Sequence, residues 1–385
     1  MKIFISLLLF ITFCTPKKEQ EIKKIEKKRP FIPVKKIDSV LNKKVLKAFD
    51  SILIKHKFNG QILIAKDDYV ILDSSIGFTN FKDSIKINRT TPFHLASVSK
   101  TFTGMMCMKL FEEKKLDFND LVIKYLPLFP YKNVTVSELL SHTSVLPDYA
   151  NFITMEKREF IKKSSNTDLH KLSEVELNYF TNEDILQYII NYSPSPVSNS
   201  KKEFIYCNTN YVILAIIIER ITNMDYPSVL KKYIFDKYGL NNTFVFNKNN
   251  IEKYIPSYKE NNEIWGIEKF DLIYGDKNIY STAIDLYLWD NILKSTAFLK
   301  KETTSYAYEP KSILTKEKKT YGYGWRLVFP ENQEKIIYHN GWWHGNNTAL
   351  IRLIEKDAVI IILGNRYNDY IYSHKRFVEI LRNMN

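Results

Sequence analysis

Ser97 and Lys100 stand three residues apart in the stretch Phe93-His-Leu-Ala-Ser-Val-Ser-Lys-Thr-Phe-Thr103, a spacing that puts a hydroxyl and an amine on one face of a helical turn. A serine hydroxyl attacks a carbonyl at neutral pH only with a base in hydrogen-bond reach, and a desolvated lysine one turn along can supply it. Met105, Met106, Met108, Leu110 and Phe111 follow. They predict a buried helix whose N-terminal N–H groups face any oxyanion formed at Ser97. The same spacing recurs at Ser198/Lys201 and Ser228/Lys231. There it reads as a Pro/Ser/Asn loop and as a lysine-flanked helix after Pro227, so neither serine precedes a core helix.

Further along, Tyr206-Cys207-Asn208 precedes an apolar helix, and His339-Asn340-Gly341 ends an apolar strand. Taken singly, the first is a packed aromatic with a turn asparagine and the second a half-buried polar strand end. Cys107 and Cys207 form neither a metal spacing nor a disulfide framework and read as small buried apolar residues. A Cys207 nucleophile would need a histidine beside it, and in an extended segment its thiol points away from Tyr206 and Asn208. His339 and His344 are five apart, a spacing that suits neither a helix face nor a strand face. No carboxylate cluster joins them, so no metal is expected.

The elements that must position these groups are legible in outline. Leu41, Val45, Leu46, Phe49, Ile52 and Leu53 predict an amphipathic helix from about Ser39 to His56, ended by Gly60. Two apolar runs, Gln61–Lys66 and Tyr69–Ser75, flank Asp67-Asp68 and predict a β-hairpin. From about 101 to 280 the signals are mostly helical: Val136-Ser-Glu-Leu-Leu, Asn182 to Ile190, Asn210 to Ile221. A helix from Leu286 to Leu293 then leads to strand-like pieces at Gly322–Val328, Lys335–Tyr338, Thr348–Ile354 and Ala358–Leu363, the last two joined by Glu355-Lys-Asp. The expected fold is α/β: an antiparallel sheet built from both chain ends, residues 38–95 and 285–385, with an inserted, mostly helical lobe over 96–284. The Ser97 helix is expected where the lobes meet.

At 385 residues, with 45% hydrophobic and 14% aromatic content, the chain is long enough for a sizeable core. Its net charge is +13, but residues 1–37 hold ten Lys/Arg against three acids, so seven of the thirteen charges sit in a tail. No basic stripe with interleaved aromatics marks a folded face, and nucleic acid is not an expected partner. Residues 1–13 read as a signal peptide, one early lysine followed by a short apolar run. Ile11-Thr12-Phe13-Cys14 resembles the lipobox of bacterial lipoproteins, with Phe13 where a small residue is usual, which makes Cys14 the expected lipid anchor. Residues 14–37, rich in Lys, Glu and Pro, read as a flexible tether.

In this order, Ser97-x-x-Lys100, Tyr206-x-Asn208 and His339-x-Gly341 resemble the three motifs of the serine β-lactamase and penicillin-binding protein superfamily, in particular the class C β-lactamase-like hydrolases that include D-alanyl-D-alanine carboxypeptidases and esterases. Leu139-Leu-Ser-His-Thr-Ser144, Ile279-Tyr-Ser-Thr-Ala283 and Tyr321-Gly-Tyr-Gly-Trp325 look like further landmarks of that family, and coverage runs from about residue 38 to the C-terminus. The resemblance implies Ser97 as the acylated nucleophile, with Lys100 and Tyr206 sharing the proton transfers. It implies Asn208 on the substrate amide, and the N–H groups of Ser97 and Trp342 as oxyanion donors beside Gly341. His339, where many relatives carry lysine, would hold a substrate carboxylate or polarise Tyr206. Departures are Val145 and Asn278 at or near positions where relatives carry glycine, and a missing Pro-Gly turn before Tyr206. Trp342 and Trp343 are expected at the cleft mouth.

The expected activity is an exported serine hydrolase working through an acyl-enzyme on D-Ala-D-Ala-type peptides, small esters or β-lactams. The alternative is a non-catalytic surface lipoprotein that keeps the fold as a binding module. No cofactor is implied. The expected partners are a small-molecule or cell-wall peptide substrate and the membrane through the lipid anchor alone, with the chain a monomer facing the periplasm or cell surface.

Overall fold

The computed structural model describes residues 39–156, 179–198, 203–313, 315, 318–331 and 333–383. The expected signal peptide, Cys14, the tether and Lys201 lie outside them. In chain order the elements that matter for the site are helix α1 (Ser39–Ile52), strands β1 (Gly60–Lys66), β2 (Tyr69–Ile76) and β3 (Phe93–His94), helices α2 (Ser99–Glu112), α3 (Val136–Ser141), α4 (Asn182–Tyr192) and α5 (Asn208–Thr222), and strands β4 (Phe244–Val245) and β5 (Ile279–Ser281). Helix α6 (Ala283–Lys294), strands β6 (Lys319–Tyr321), β7 (Arg326–Val328), β8 (Ile336–Trp343), β9 (Asn346–Leu353) and β10 (Ala358–Gly364), and helix α7 (Lys375–Arg382) complete the set.

A seven-stranded antiparallel sheet in the order β6-β7-β8-β9-β10-β1-β2 is the frame. The first strands of the chain pair with the last, Gly60 opposite Gly364 and Lys66 opposite Ala358. Asp67 and Asp68 both take positive φ, 50° and 62°, the conformation that a two-residue hairpin turn with the strands' own twist requires. Both faces are covered, so β9 and β10 are buried along their whole length. Side chains alternate between two cores. Ile62, Ile64, Ile360 and Ile362 meet Val45 and Phe49 of α1 and Phe377 and Leu381 of α7 on one face. Leu63, Ile361 and Leu363 join Phe102 of α2 and Leu286 of α6 on the other.

Helix α2 is buried on nearly every side, from Ser99 to Met108 and at Leu110, as befits a helix enclosed by other elements. α3 and α4 open on capping boxes, Thr135 with Glu138 and Thr181 with Asp184, which satisfy N–H groups that the first turn leaves free. The stretch 96–284 carries these helices together with short strands, among them β4 and β5; β5 is the middle strand of a small sheet, paired with β3 on one side and β4 on the other. One expectation needs correcting. The strand expected over Gly322–Val328 begins only at Arg326, because Gly322–Trp325 forms a turn in which Gly322 N–H reaches the Trp325 carbonyl at 2.8 Å and Gly324 takes φ +85°.

Candidate active site

The nucleophile region is a tight corner. β3 ends at His94, a single 3-10 turn spans Ala96–Val98, and α2 starts at Ser99. Ala96 is held at φ +48°, left-handed backbone that costs an alanine on the order of 1 kcal/mol. Just past it, half-buried Ser97 faces a cavity of about 600 Å³. Lys100, wholly buried, sends its Nζ to Ser97 Oγ at 3.1 Å, Asn208 Oδ1 at 2.8 Å and the Asp276 carbonyl at 2.9 Å. Three oxygens around one nitrogen match the three donors of an ammonium.

Tyr206 and Asn208 reach the same place from the start of α5. Cys207 between them is the helix N-cap residue, its N–H accepted by His142 Nδ1 at 3.1 Å, while the Asn208 N–H is accepted by Asp148 Oδ2 at 2.7 Å. Burial, then the charges of Lys100 and Arg326, pushes His142 well below the usual imidazole range. It therefore stays neutral, as an Nδ1 acceptor must. The Tyr206 hydroxyl is enclosed and has no hydrogen-bond partner among the described residues. Two cations flank its ring, Lys100 Nζ 5.0 Å and Arg326 Cζ 4.9 Å from the centroid. The Cys207 thiol is buried, which pushes its pKa up to about 12 and disfavours the thiolate a nucleophile would need.

The third wall is the edge of β8. Gly341 packs against the corner so closely that a β-carbon would lie 2.3 Å from the Leu95 carbonyl oxygen and 3.1 Å from Ala96 Cβ. Only glycine lets the strand come this near. Trp342 is 57% exposed at the rim, and its neighbour Trp343 is fixed by donating Nε1–H to Asp271 Oδ1 at 2.6 Å. Both line the cavity with Asn340, whose enclosed Oδ1 has no partner among the described residues.

The corner thus brings Ser97, Lys100, Tyr206, Asn208, Gly341 and Trp342 together. His339 sits differently from its expected role. It is fully buried, its Nε2 paired with the Tyr321 hydroxyl at 2.9 Å and its Nδ1 with the Asn340 carbonyl at 2.7 Å, and it is not among the residues lining the cavity. Burial and then the charge of Arg326 depress its pKa well below 6.5, so it carries no charge to offer a carboxylate. The cation in the cavity wall is Arg326, opposite Tyr338 in the β7–β8 ladder. Sequence reasoning missed it, although it is the one charged residue in the run Tyr321–Phe329. His344 contacts Asp271 at 3.1 Å, and among the described residues no group of three or more His, Cys, Asp or Glu is gathered as a metal site.

Comparison with known proteins shows the family and the fold. The family profile described as Beta-lactamase matches residues 48–377. Penicillin-binding protein 4* of Bacillus subtilis is 31% identical over 340 residues, 84% of this chain and 72% of that protein. Protein flp of Staphylococcus aureus is 24% identical over 367 residues, 86% of this chain and 66% of its own length, so the chain spans just under two thirds of that relative. Among solved structures, a penicillin binding protein from Bacillus halodurans superposes with a TM-score of 0.72 at 22% identity, covering 86% of this chain and 98% of that one.

Proposed function

Since the chain belongs to the Beta-lactamase family of serine hydrolases, we propose that it hydrolyses amide or ester bonds of small acyl donors ending in a carboxylate, of the D-Ala-D-Ala type, through an acyl-enzyme on Ser97. The observation that carries this reading is the Lys100 Nζ to Ser97 Oγ contact of 3.1 Å in the wall of an open cavity that also presents an unpartnered phenol and a guanidinium.

Lys100 is already surrounded by three acceptors, so in this reading it donates to Oγ and stabilises the developing negative charge. Tyr206, whose oxygen has no partner among the described residues, acts as the base in this reading, and the cations beside its ring favour the charge that role requires. Oγ bonds to the carbonyl carbon and its proton passes to Tyr206. The tetrahedral adduct then collapses, and the leaving amine or alkoxide takes the proton from Tyr206. Water next gives a proton to Tyr206 and adds to the acyl carbon, and Oγ regains the proton as the acid departs. The N–H groups of Ser97 and Trp342 serve as oxyanion donors, and Asn208 orients the substrate amide. Arg326 takes the substrate carboxylate, replacing His339 in that role.

Intact mass spectrometry after exposure to a fluorophosphonate and, separately, to a penicillin tests the reading, with Ser97→Ala as control. Labelling by both that vanishes in the variant is expected. Labelling by the fluorophosphonate alone would point to neutral esters, and a folded sample that neither reagent labels would leave the binding module as the better account. Export and lipid attachment at Cys14 belong to the same proposal, supported by the apolar run before that cysteine. Cys14→Ser should shift the protein from the membrane fraction to the soluble one.

A further inference from the structure

The corner carrying Ser97 is held from behind by a hydrogen-bonded chain that begins 181 residues away. Asn278 Nδ2 donates to the carbonyls of Asp271 at 2.5 Å and Ile273 at 2.8 Å. Those two acceptors fix the amide orientation and turn Oδ1 toward His94 Nε2, 2.8 Å away. On the other side of the ring, His94 Nδ1 accepts the Ala96 N–H at 3.1 Å. An Nδ1 that accepts carries no proton, so the proton is on Nε2 and points at Asn278; both ends of the ring demand the same neutral tautomer.

The neighbouring backbone is clamped from β5 and β9. Leu95 N–H reaches the Ile279 carbonyl at 2.8 Å, Ile279 N–H reaches Ser99 Oγ at 3.1 Å, and Thr348 Oγ1 donates to the Leu95 carbonyl at 2.7 Å. The one unusual torsion in the corner is Ala96 at φ +48°. That torsion decides where the next amide, the Ser97 N–H, points. Asn278 is itself left-handed, φ +70°, a conformation that asparagine tolerates better than most residues and that here carries a side chain glycine would lack.

From this geometry we infer that His94 and Asn278 are positioning residues for the reaction: the neutral imidazole, oriented by the Asn278 amide, holds the Ala96 N–H and so sets the direction of the Ser97 N–H and Oγ. Neither residue lines the cavity that Ser97 faces. The inference rests on the reading of Ser97 as nucleophile. The groups facing the ring are Asp271, Lys277 and His344 electrostatically and the Tyr280 ring edge-on at 5.1 Å. Burial, the largest influence, lowers His94 to about 4, so the neutral form is kept across the working range.

Two measurements on the full chain test it. Imidazole 15N spectra of the histidine-labelled protein should assign His94 to the neutral Nε2–H tautomer from pH 6 to 9. An Nδ1–H tautomer or an imidazolium there overturns the inference, whether or not Ser97 proves reactive. The second is the fluorophosphonate labelling rate of folded protein, read against the thermal midpoint. Asn278→Gly keeps the left-handed backbone but removes the amide, and labelling should slow by about 10- to 100-fold. Asn278→Asp should make labelling pH-dependent, because a carboxylate at Nε2 favours the imidazolium, whose Nδ1–H can no longer accept from Ala96. Its rate should approach wild type at high pH and fall as pH is lowered. A lower midpoint in either variant with an unchanged, pH-independent rate would mean the chain is structural only, and the inference fails. Absence of labelling in the wild type would refute the nucleophile assignment instead, leaving the tautomer result to stand for itself.

Discussion

Gly341 and Leu95 approach so closely that strand and corner share one surface: a β-carbon on residue 341 would sit 2.3 Å from the Leu95 oxygen and equally near Thr348 Oγ1. Neither obstacle can yield easily, since Thr348 Oγ1 is bonded to that same oxygen. Gly341→Ala is therefore expected to push the β8 edge away from Ser97, lowering the acylation rate by about 100-fold and stability by about 1–3 kcal/mol. Stopped-flow acylation and thermal unfolding of the same sample check both, and an unchanged acylation rate would mean the strand edge plays no part in the oxyanion site.

Arg326 and His339 should separate cleanly in kinetics. Arg326→Gln removes a charge-assisted contact worth about 1.5–3 kcal/mol, so KM for a peptide ending in a free carboxylate should rise roughly tenfold or more while a neutral ester is little affected. His339→Gln, at a buried site with no charge, should leave the peptide-to-ester ratio near wild type. The assignment of Arg326 is lost if the two variants behave alike.

Val145 adopts φ +56°, a backbone that is costly for a β-branched residue, about 1–2 kcal/mol. Glycine removes that strain but adds about 0.5–1 kcal/mol of unfolded-chain freedom. Val145→Gly should thus be neutral to stabilising by up to about 1 kcal/mol in denaturant melts. A clear loss of stability would show that the valine side chain contributes more packing than its half-buried position suggests.

Three buried histidines, His94, His142 and His339, and the half-buried His374 are held below their ordinary pKa chiefly by desolvation, His94 and His374 to about 4. Lowered values mean that the unfolded chain binds protons first. Stability is then fully present above about pH 6.5 and declines as pH falls, each histidine adding about 1.4 kcal/mol per pH unit down to its folded pKa. Denaturant melts at pH 7.5, 6 and 5 should show a progressive loss, steeper than a chain with exposed histidines would give. A flat profile over that range would refute the buried neutral assignment.

What the sequence revealed was what is local. Ser97 and Lys100 lie within one turn, and Tyr206 and Asn208 flank one helix start, so their types and spacing carried the chemistry directly. The Asp67-Asp68 hairpin was legible for the same reason. Arg326 was not, because its place in the cavity depends on β7 pairing with β8 after a turn that the aromatic run Gly322–Trp325 disguises as strand. His339 was misjudged because alternation tells which residues share a face but not what encloses that face; here Tyr321 does. Asn278 was noticed only as a departure from glycine, since its partner His94 is 184 positions away.

The ladder between β1 and β10 joins residues 60–66 to residues 358–364, about 300 positions apart. A chain made from its N-terminus finishes the β1–β2 hairpin early and must then wait for almost everything else before β1 gains its second neighbour. Contacts of such long range make folding slow, and through the delay one side of β1 offers unpaired backbone to any strand it meets. Ser97, Lys100, Tyr206 and Asn208 are all synthesised well before β10, the strand that completes the sheet, so the candidate site is made long before its frame can close.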